Sequence, residues 1–151
     1  MAAANMKAHR LGWIGIGRMG YAMAERLAKA GCDISVWNRT RAKAEPLAKA
    51  GAKVADALTD LAACDIVFTM VSTGKDVKEV LFGPGGVMSQ GKMPKIVVDS
   101  TSISIEESAG IRKQLAGHGV KFLAAPVSGN AKVIKAGKLT VVASGPQDAF
   151  D

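Results

Sequence analysis

Residues 14–31 of the chain read IGIGRMGYAMAERLAKAG, with three glycines between a short apolar run and a long alanine-rich segment. The apolar run predicts a strand and the alanine-rich segment predicts a helix, so Gly15, Gly17 and Gly20 fall at the connection between them. Glycine is favoured where the main chain must turn tightly or where another group must approach it closely. The G-x-G-x-x-G spacing therefore requires a strand, a tight turn and a helix in that order.

Each glycine has its own role if this turn binds a dinucleotide. Gly15 permits the tight turn, Gly17 lets a pyrophosphate approach the backbone, and Gly20 lets the helix pack closely against the strand. The helix N-terminus then offers free N–H groups and a partial positive charge to the phosphates. Glycines at this spacing also occur purely for close packing, but the strand before them and the helix after them favour a dinucleotide site.

The rest of the chain alternates short apolar runs with amphipathic segments. Strands are predicted at residues 11–16, 33–37, 52–54, 66–71, 96–98, 121–123 and 139–143, and helices at 19–30, 41–50, 57–63, 76–81 and 105–116. Such regular alternation predicts right-handed βαβ crossovers and an α/β, Rossmann-type, doubly wound and mostly parallel sheet. At 151 residues the whole chain, 1–151, has the length of a single domain.

Composition places the chain among ordinary globular proteins, with 48% apolar and 22% charged residues. No apolar run reaches the roughly 18 residues of a membrane span, and the first ten residues lack the apolar centre of a secretory signal. Cys32 and Cys64 form neither a C-x-x-C pair nor a metal-ligand spacing, which indicates two buried thiols in a reducing compartment. We therefore expect a cytoplasmic protein with no membrane partner and no metal.

The net charge of +7 suits nucleic acid, a membrane surface or a smaller anion such as a phosphate. The basic residues are scattered, and only Arg39, Arg41 and Lys43 form a tight group, with few aromatic residues nearby to stack on bases. We expect no nucleic-acid partner. A nucleic-acid binder would show a steep salt dependence in binding to DNA.

The end of the second predicted strand indicates which dinucleotide is preferred. In NAD-binding units an acidic residue about 20 positions beyond the glycines accepts hydrogen bonds from the ribose 2′-hydroxyl. This chain has Asn38, Arg39 and Thr40 there instead. A carboxylate would repel a 2′-phosphate, whereas a guanidinium holds it with paired charged hydrogen bonds, so the sequence predicts NADP as cofactor. The alternative is that Arg39 is an ordinary solvated loop residue.

Four motifs in the same order make the chain resemble the NADP-dependent β-hydroxyacid dehydrogenases. This family includes 3-hydroxyisobutyrate dehydrogenase, 6-phosphogluconate dehydrogenase and glyoxylate/succinic semialdehyde reductase. The motifs are WIGIGRMGYAMAERL, VWNRT at 36–40, VVDSTSI at 97–103 and FLAAPVSGN at 122–130, and the likeness covers nearly the whole chain. Their combination is far more specific than the glycine spacing alone.

The resemblance implies a role for particular residues. The phosphate loop would be formed by Gly15, Ile16, Gly17, Arg18, Met19 and Gly20. The 2′-phosphate would be held by Asn38, Arg39 and Thr40, and the cleft would be lined by Val71 and Ser72. Ser102 would contact the nicotinamide end of the cofactor. The substrate, a small hydroxy or aldehyde acid, would contact Ser128, Gly129 and Asn130, where a hydroxyl with adjacent N–H groups suits a carboxylate or carbonyl.

The chain departs from the family pattern near these substrate positions. Asn130 replaces the commoner second glycine, Val133 and Ile134 stand where many members have Gly-Ala, and Lys138 replaces a threonine. These changes leave the fold intact and bear on the substrate. They are closer to the glyoxylate/succinic semialdehyde reductase branch than to 3-hydroxyisobutyrate dehydrogenase.

The resemblance also implies that the catalytic residue is not in this chain. Family members use a lysine of an all-helical C-terminal domain as proton donor or acceptor, and that domain begins roughly where this chain ends. The terminal GPQDAFD is typical of a helix start, so we expect a fragment of a longer, homo-oligomeric protein. Hydride transfer to a carbonyl needs an acid, so the fragment alone should be inactive.

Two rival functions remain open. An imine reductase shares a VWNRT-like stretch, although DSTS followed by APVSG speaks against it. A non-catalytic NADP-binding module that regulates a partner is the other, and a lysine downstream of residue 151 would favour the enzyme.

Overall fold

The computed structural model describes residues 9–101, 104–125, 127–128 and 140–141. Six strands form one parallel sheet in the spatial order β3-β2-β1-β4-β5-β6. They are β1 (Arg10–Ile14), β2 (Asp33–Trp37), β3 (Lys53–Val54), β4 (Ile66–Thr69), β5 (Ile96–Asp99) and β6 (Lys121–Ala124). The predicted Rossmann-type α/β fold is confirmed. Because the chain moves outward from β1 to β3 and then returns to β4 on the other side of β1, the topological switch point lies between β1 and β4.

Helices connect the strands. The α-helices are α1 (Arg18–Lys29), α2 (Arg41–Ala44), α3 (Gly74–Phe82) and α4 (Ile105–Ala116), and two 3₁₀ helices span Glu45–Ala50 and Leu58–Leu61. The bounds of α4 are those predicted, because Ser104 and Glu107 form a capping box at its start.

The core has two parts. One hydrophobic cluster joins side chains of β4, β5 and β6 to α3 and α4, for example Val67, Val97, Phe122, Leu81 and Ile111. The other joins β1 and β2 to α1 and the first 3₁₀ helix, for example Leu11, Trp13, Ile34, Ala28 and Leu47. The helix α1 buries only small residues, Gly20, Ala22, Ala24 and Ala28, so its axis can approach the sheet closely.

Several predicted elements differ from the structure: β4 ends at Thr69 instead of residue 71, and the helix predicted at 57–63 is 3₁₀ and spans only Leu58–Leu61. At two others the local reason is clear. β1 stops at Ile14 instead of residue 16, because Gly15 takes a left-handed φ of 101° and leaves the strand direction. The helix predicted at 41–50 is α-helical only to Ala44 and then 3₁₀, since Pro46 has no N–H to donate to the preceding turn. The predicted range is therefore helical throughout, but only its first part is α-helix.

The seventh predicted strand does not join the main sheet. Thr140–Val141 (β8) pairs antiparallel with Val127–Ser128 (β7), which the sequence did not predict as a strand, in a separate two-stranded sheet. A short apolar run looks the same whichever partner it pairs with, so its period cannot identify the sheet. The helix start expected at 145–151 lies outside the described residues.

The two cysteines are buried and unpaired, as predicted. Desolvation by burial raises the pKa of the Cys64 thiol. Within the part of the chain that the structure describes, no helix combines the length and the apolar character needed to cross a bilayer.

Candidate functional site

A cleft of about 510 Å³ opens at the carboxyl ends of β1, β2 and β4, at the switch point of the sheet. Its walls come from the connections that follow these three strands and from the start of α3. The lining residues are Gly15, Ile16, Gly17, Arg18, Met19, Gly20, Trp37, Asn38, Arg39, Thr40, Lys43, Met70, Val71, Ser72, Asp76 and Val80. Open α/β sheets bind their ligands at this place, because neighbouring connections diverge there and leave a crevice.

The structure brings together all the residues predicted to contact a cofactor that it describes. Every one of them from Gly15 to Ser72 lies in the cleft lining. Ser102, predicted at the nicotinamide end, lies outside the described residues, as do Gly129 and Asn130 of the predicted substrate turn. Ser128 ends β7, and only its backbone is described.

Two of the three glycines are required by the protein's own packing. A Cβ on Gly15 would overlap the carbonyl oxygen of Met70 and would also sit on a backbone with a φ of +101°. A Cβ on Gly20 would overlap the carbonyl oxygen of Gly15, which accepts a hydrogen bond from Trp13 Nε1 at 3.1 Å. These two glycines let β1, β4 and α1 meet at one point.

Gly17, the third glycine, is not required by the packing of the protein itself. Gly17 has an ordinary φ of −77°, and a Cβ added to it would have no heavy atom within 4 Å. It is exposed and lines the cleft. The bare backbone at Gly17 therefore leaves room for something outside the folded chain, which fits a group that approaches the main chain closely.

The start of α1 is electrostatically suited to an anion. Gly17 is the N-cap, so no side chain caps the helix, and its first turn contains no acidic residue. The first N–H groups of an α-helix have no partner within the helix, and the macrodipole places about half a positive charge there. Arg18 adds a full positive charge in the same turn. The arrangement fits phosphate groups held by main-chain N–H donors.

The side chain of Asn38 connects two walls of the cleft. Its Oδ1 accepts a hydrogen bond from the Ile16 N–H at 2.9 Å, and its Nδ2 donates to the Thr40 carbonyl oxygen at 3.0 Å. The amide therefore holds the glycine turn and the loop after β2 in a defined relative position. The sequence predicted Asn38 as a ligand contact and missed this internal role, because the partner Ile16 is 22 residues away.

Charge is concentrated on the β2 side of the cleft. Arg39 is 71% exposed and lies 3.6 Å from the Asp76 carboxylate, measured from Nη2 to Oδ1. Lys43 lines the same wall. Asp76 was not predicted as a site residue, and its position in the first turn of α3 is the signal that could have identified it.

A buried polar network supports the third wall. Asp99 at the end of β5 is 2% exposed, and its Oδ1 accepts hydrogen bonds from Thr69 Oγ1 at 2.7 Å and from the Thr101 N–H at 3.0 Å. Thr101 Oγ1 in turn accepts from the Val71 N–H at 3.0 Å. Burial raises the pKa of Asp99, while the bonds from the two threonines oppose that rise. The sequence pointed to the VVDSTSI motif by resemblance alone, and the structure shows that part of it positions the Val71 backbone.

Known proteins resemble this chain over nearly its whole length. Residues 10–151 match the family described as the NAD binding domain of 6-phosphogluconate dehydrogenase. The chloroplastic glyoxylate/succinic semialdehyde reductase 2 of Arabidopsis thaliana is 36% identical over 142 residues, which cover 93% of this chain and 40% of that protein. The cytokine-like nuclear factor N-PAC of Xenopus tropicalis is 32% identical over 143 residues, 94% of this chain and 27% of that protein. The chain thus spans less than half the length of both relatives.

Solved structures share the fold. Psf3 in complex with NADP⁺ and 2-OPP aligns with a TM-score of 0.86 at 31% identity, covering 93% of this chain and 50% of that one. 3-Hydroxyisobutyrate dehydrogenase from Salmonella typhimurium gives 0.80 at 28% identity, with coverages of 93% and 50%. An imine reductase from Myxococcus stipitatus in complex with NADP⁺ gives 0.72 at 32% identity, with coverages of 82% and 43%.

The family match begins at β1, and the glycine turn and cleft lie where dinucleotide-binding domains have theirs. The chain belongs to the β-hydroxyacid dehydrogenase family, as a member of the group described as the NAD-binding domain of 6-phosphogluconate dehydrogenase.

Proposed function

We propose that this chain is the NADP(H)-binding part of an oxidoreductase that transfers hydride between NADPH and a small aldehyde acid or 3-hydroxy acid. One observation carries the proposal. The glycine turn with its uncapped helix N-terminus and the basic loop after β2 line the same cleft. A pyrophosphate on the first and a 2′-phosphate on the second would account for both.

Different residues of the cleft contact different parts of the cofactor. The main-chain N–H groups at the start of α1 and the bare backbone of Gly17 hold the pyrophosphate. Arg39 and Lys43 hold the 2′-phosphate, and Val71 and Ser72 form the wall along which the rest of the cofactor runs. Ser102 contacts its nicotinamide end. When bound, the nicotinamide supplies a hydride donor or acceptor.

The preference for NADP rests on the loop after β2. NAD-binding units place a carboxylate there for the ribose hydroxyls, and this chain places Asn38 and Arg39 there. The Arg39 side chain is mostly exposed to solvent, so it can receive a phosphate without rearrangement of the core. Psf3 and the Myxococcus imine reductase, both similar to this chain, were solved with NADP⁺.

The substrate and proton chemistry would involve parts beyond the cleft. Ser128, Gly129 and Asn130 would orient the substrate, and a lysine of an all-helical C-terminal domain would move the proton. The greater length of the relatives supports such a domain. The full-length protein would be a homo-oligomeric enzyme of the cytoplasm, where two unpaired thiols persist.

Two other functions have support of their own. The likeness to an imine reductase favours a C=N substrate in place of a C=O one. The likeness to N-PAC, which is named a nuclear factor and not a reductase, favours a binding module without catalysis. Full-length protein assayed by NADPH absorbance with glyoxylate, succinic semialdehyde and a cyclic imine separates the three, because the module would oxidise NADPH with none of them.

The first experiment tests the cofactor. NADPH and NADH are titrated against the protein by isothermal calorimetry, before and after Arg39→Asp. We expect NADPH to bind about tenfold or more tightly than NADH, because a charged hydrogen-bonded contact to phosphate is worth about 1.5–3 kcal/mol. Arg39→Asp should abolish the preference. Equal affinities in the unmodified protein would contradict the NADP assignment.

The second experiment tests the phosphate position. Gly17→Ala should lower the free energy of unfolding by no more than about 1 kcal/mol, because its Cβ meets nothing in the protein and alanine is only a poorer N-cap than glycine. It should weaken NADPH binding about tenfold or more. Gly110→Ala is the matched control, since its Cβ also meets nothing but it lies in α4 outside the cleft. If Gly17→Ala binds NADPH normally, the pyrophosphate does not lie on this turn.

The third experiment tests the substrate turn in the full-length protein. Ser128→Ala should lower kcat/KM for the aldehyde acid and leave NADPH affinity nearly unchanged. Unchanged turnover would remove Ser128 from the substrate site without affecting the cofactor assignment.

A further inference from the structure

Asp76 is the only acidic residue among the described residues of a cleft lining that otherwise carries positive charge. The charged residues of that lining are Arg18, Arg39, Lys43 and Asp76. Three positive groups at one cleft favour an anion, and a carboxylate among them opposes it. Asp76 therefore works against the attraction that the rest of the site creates.

The carboxylate lies directly against the group proposed to hold the 2′-phosphate. Asp76 Oδ1 is 3.6 Å from Arg39 Nη2, and the Asp76 side chain is 26% exposed. The pair joins the loop after β2 to the first turn of α3 across the adenosine side of the cleft. No other described ion pair joins two of the residues that line the cleft.

Local structure holds Asp76 in this place. Thr73 caps α3, and its Oγ1 accepts a hydrogen bond from the Asp76 N–H at 3.1 Å. A negative charge in the first turn also interacts favourably with the dipole of α3. The aspartate thus has a small structural benefit that is independent of Arg39, and the experiment must separate the two.

A 2′-phosphate can displace the carboxylate because the exposed pair is weak. Ion pairs of this kind contribute only about 0–1 kcal/mol, since solvent and salt screen them. A phosphate carries more charge than a carboxylate and bonds a guanidinium with two parallel hydrogen bonds. On binding, however, it meets the displaced carboxylate as a nearby like charge.

We infer that Asp76 is a specificity-determining residue that pairs with Arg39 in the free protein and reduces the preference for a 2′-phosphorylated cofactor. This inference rests on the proposed NADP site. In this inference Arg39 makes the site prefer NADP over NAD. Asp76, in α3, determines how large that preference is.

The test is Asp76→Asn, which removes the charge and keeps the shape and the N–H donated to Thr73. For a dianionic phosphate roughly 6 Å from the carboxylate, Coulomb's law in water gives about a tenfold effect without screening and about threefold at 0.1 M salt. We expect NADPH affinity to rise by these factors at low and moderate salt. NADH affinity should change less than about twofold, because its charges lie on the far pyrophosphate.

Two controls isolate the mechanism. Glu106→Gln removes an exposed acid from the first turn of α4 outside the cleft, and should leave both affinities unchanged. In an Arg39→Ala background, the gain from Asp76→Asn should be smaller but should persist, because the carboxylate no longer competes for the guanidinium and still repels the phosphate.

The outcomes distinguish the inference from the proposed function. If the unmodified protein prefers NADPH and Asp76→Asn leaves that preference unchanged, the inference is wrong and the NADP site stands. If Asp76→Asn weakens NADPH binding, Asp76 positions Arg39 for the phosphate and the inference is overturned. An equal gain for NADPH and NADH would also overturn it. Without any NADPH preference in the unmodified protein, the proposed function fails and the inference with it.

Discussion

The two ends of the parallel sheet differ in how their charged and polar groups are paired. At the amino end, the strands begin with charged residues that pair with one another. Asp65 accepts the Arg10 N–H at 2.9 Å and lies 3.5 Å from Lys95, and Asp33 lies 3.4 Å from Lys53. At the carboxyl end, glycine turns and a helix N-terminus leave donors facing an open cleft. One end is completed by the protein itself, and the other is left for a ligand.

Two aspartates show the same contrast. The hydrogen bond from the Arg10 N–H, assisted by Lys95 and His9, lowers the pKa of Asp65. Burial raises the pKa of Asp99 at the opposite end, despite its hydrogen bonds to Thr69 and Thr101. An ionised carboxylate at the amino end stabilises the fold, whereas the carboxyl at the cleft end positions backbone at a cost in desolvation. These two aspartates therefore have different roles at the two ends of the sheet.

The largest effect is expected from Gly15→Ala at the cleft end. The new Cβ would overlap the Met70 carbonyl oxygen and occupy a positive φ, so the variant combines overpacking with backbone strain. We expect a loss of about 3 kcal/mol or more in the free energy of unfolding, measured by urea denaturation. Gly110→Ala, an open helical position, should stabilise by up to about 1 kcal/mol. A loss below about 1 kcal/mol for Gly15→Ala would mean that β1 and β4 are not tightly joined at this turn.

The next effect is expected from Asp99→Ala, which leaves the Thr69 hydroxyl and the Thr101 N–H without their buried acceptor. The free energy of unfolding should fall by about 2–3 kcal/mol at pH 7. Asp99→Asn keeps one acceptor oxygen and should lose less. Because the folded-state pKa is raised, unmodified protein should lose stability relative to Asp99→Asn as the pH rises from 3.8 through that raised value. If stability relative to Asp99→Asn instead rose with pH, the folded protein would favour the ionised form of Asp99.

Asp65→Asn should have a smaller effect with the reverse pH dependence. The charged hydrogen bond to the Arg10 N–H is partly open to solvent, so we expect a loss of about 1 kcal/mol at pH 7. Its stabilisation is present above the ordinary pKa of 3.8 and is lost as the pH falls through the lowered pKa of the folded state. Urea unfolding of both proteins between about pH 2 and pH 7 measures this. A difference that persists at the acid end would exclude the carboxylate charge as its cause.

The smallest effect is expected from Lys95→Gln. The Lys95 side chain is 79% exposed, and water screens the ion pair that its ammonium forms with Asp65 at 3.5 Å. Removing the charge should therefore lower the free energy of unfolding by less than about 0.5 kcal/mol. The same variant should raise the pKa of Asp65 slightly, measured by NMR titration. A loss comparable to that of Asp65→Asn would show that the ion pair, and not the main-chain N–H, is the main stabilising contact.

The sequence predicted an element well where the residues that determine it lie close together in the chain. The bounds of α4 were predicted from its amphipathic pattern, and the structure adds a capping box whose residues Ser104 and Glu107 lie within one turn. The glycine turn was predicted because its strand, loop and helix are contiguous. The 3₁₀ segment at Pro46 and the pairing of β7 with β8 were missed, because each depends on how weak local preferences are resolved by the rest of the fold.

The cleft itself was predicted in outline and not in its internal contacts. The amide of Asn38 was assigned to a ligand, yet it binds the Ile16 and Thr40 backbones. Asp76 and the network from Asp99 to Val71 were not anticipated. Each of these contacts joins residues from different connections, and no spacing within one segment encodes them.

The family resemblance added Val71 and Ser72 to the predicted cleft, whereas the sequence by itself determined the α/β class and the glycine turn. It did so because strand and helix periods, and the need for missing side chains, are properties of adjacent residues. Only the tertiary structure decided that the Asn38 amide joins the Ile16 and Thr40 backbones and that Asp76 lies against Arg39. Those outcomes depend on distances between segments far apart in the chain, which are set when the sheet assembles and its helices pack on both faces.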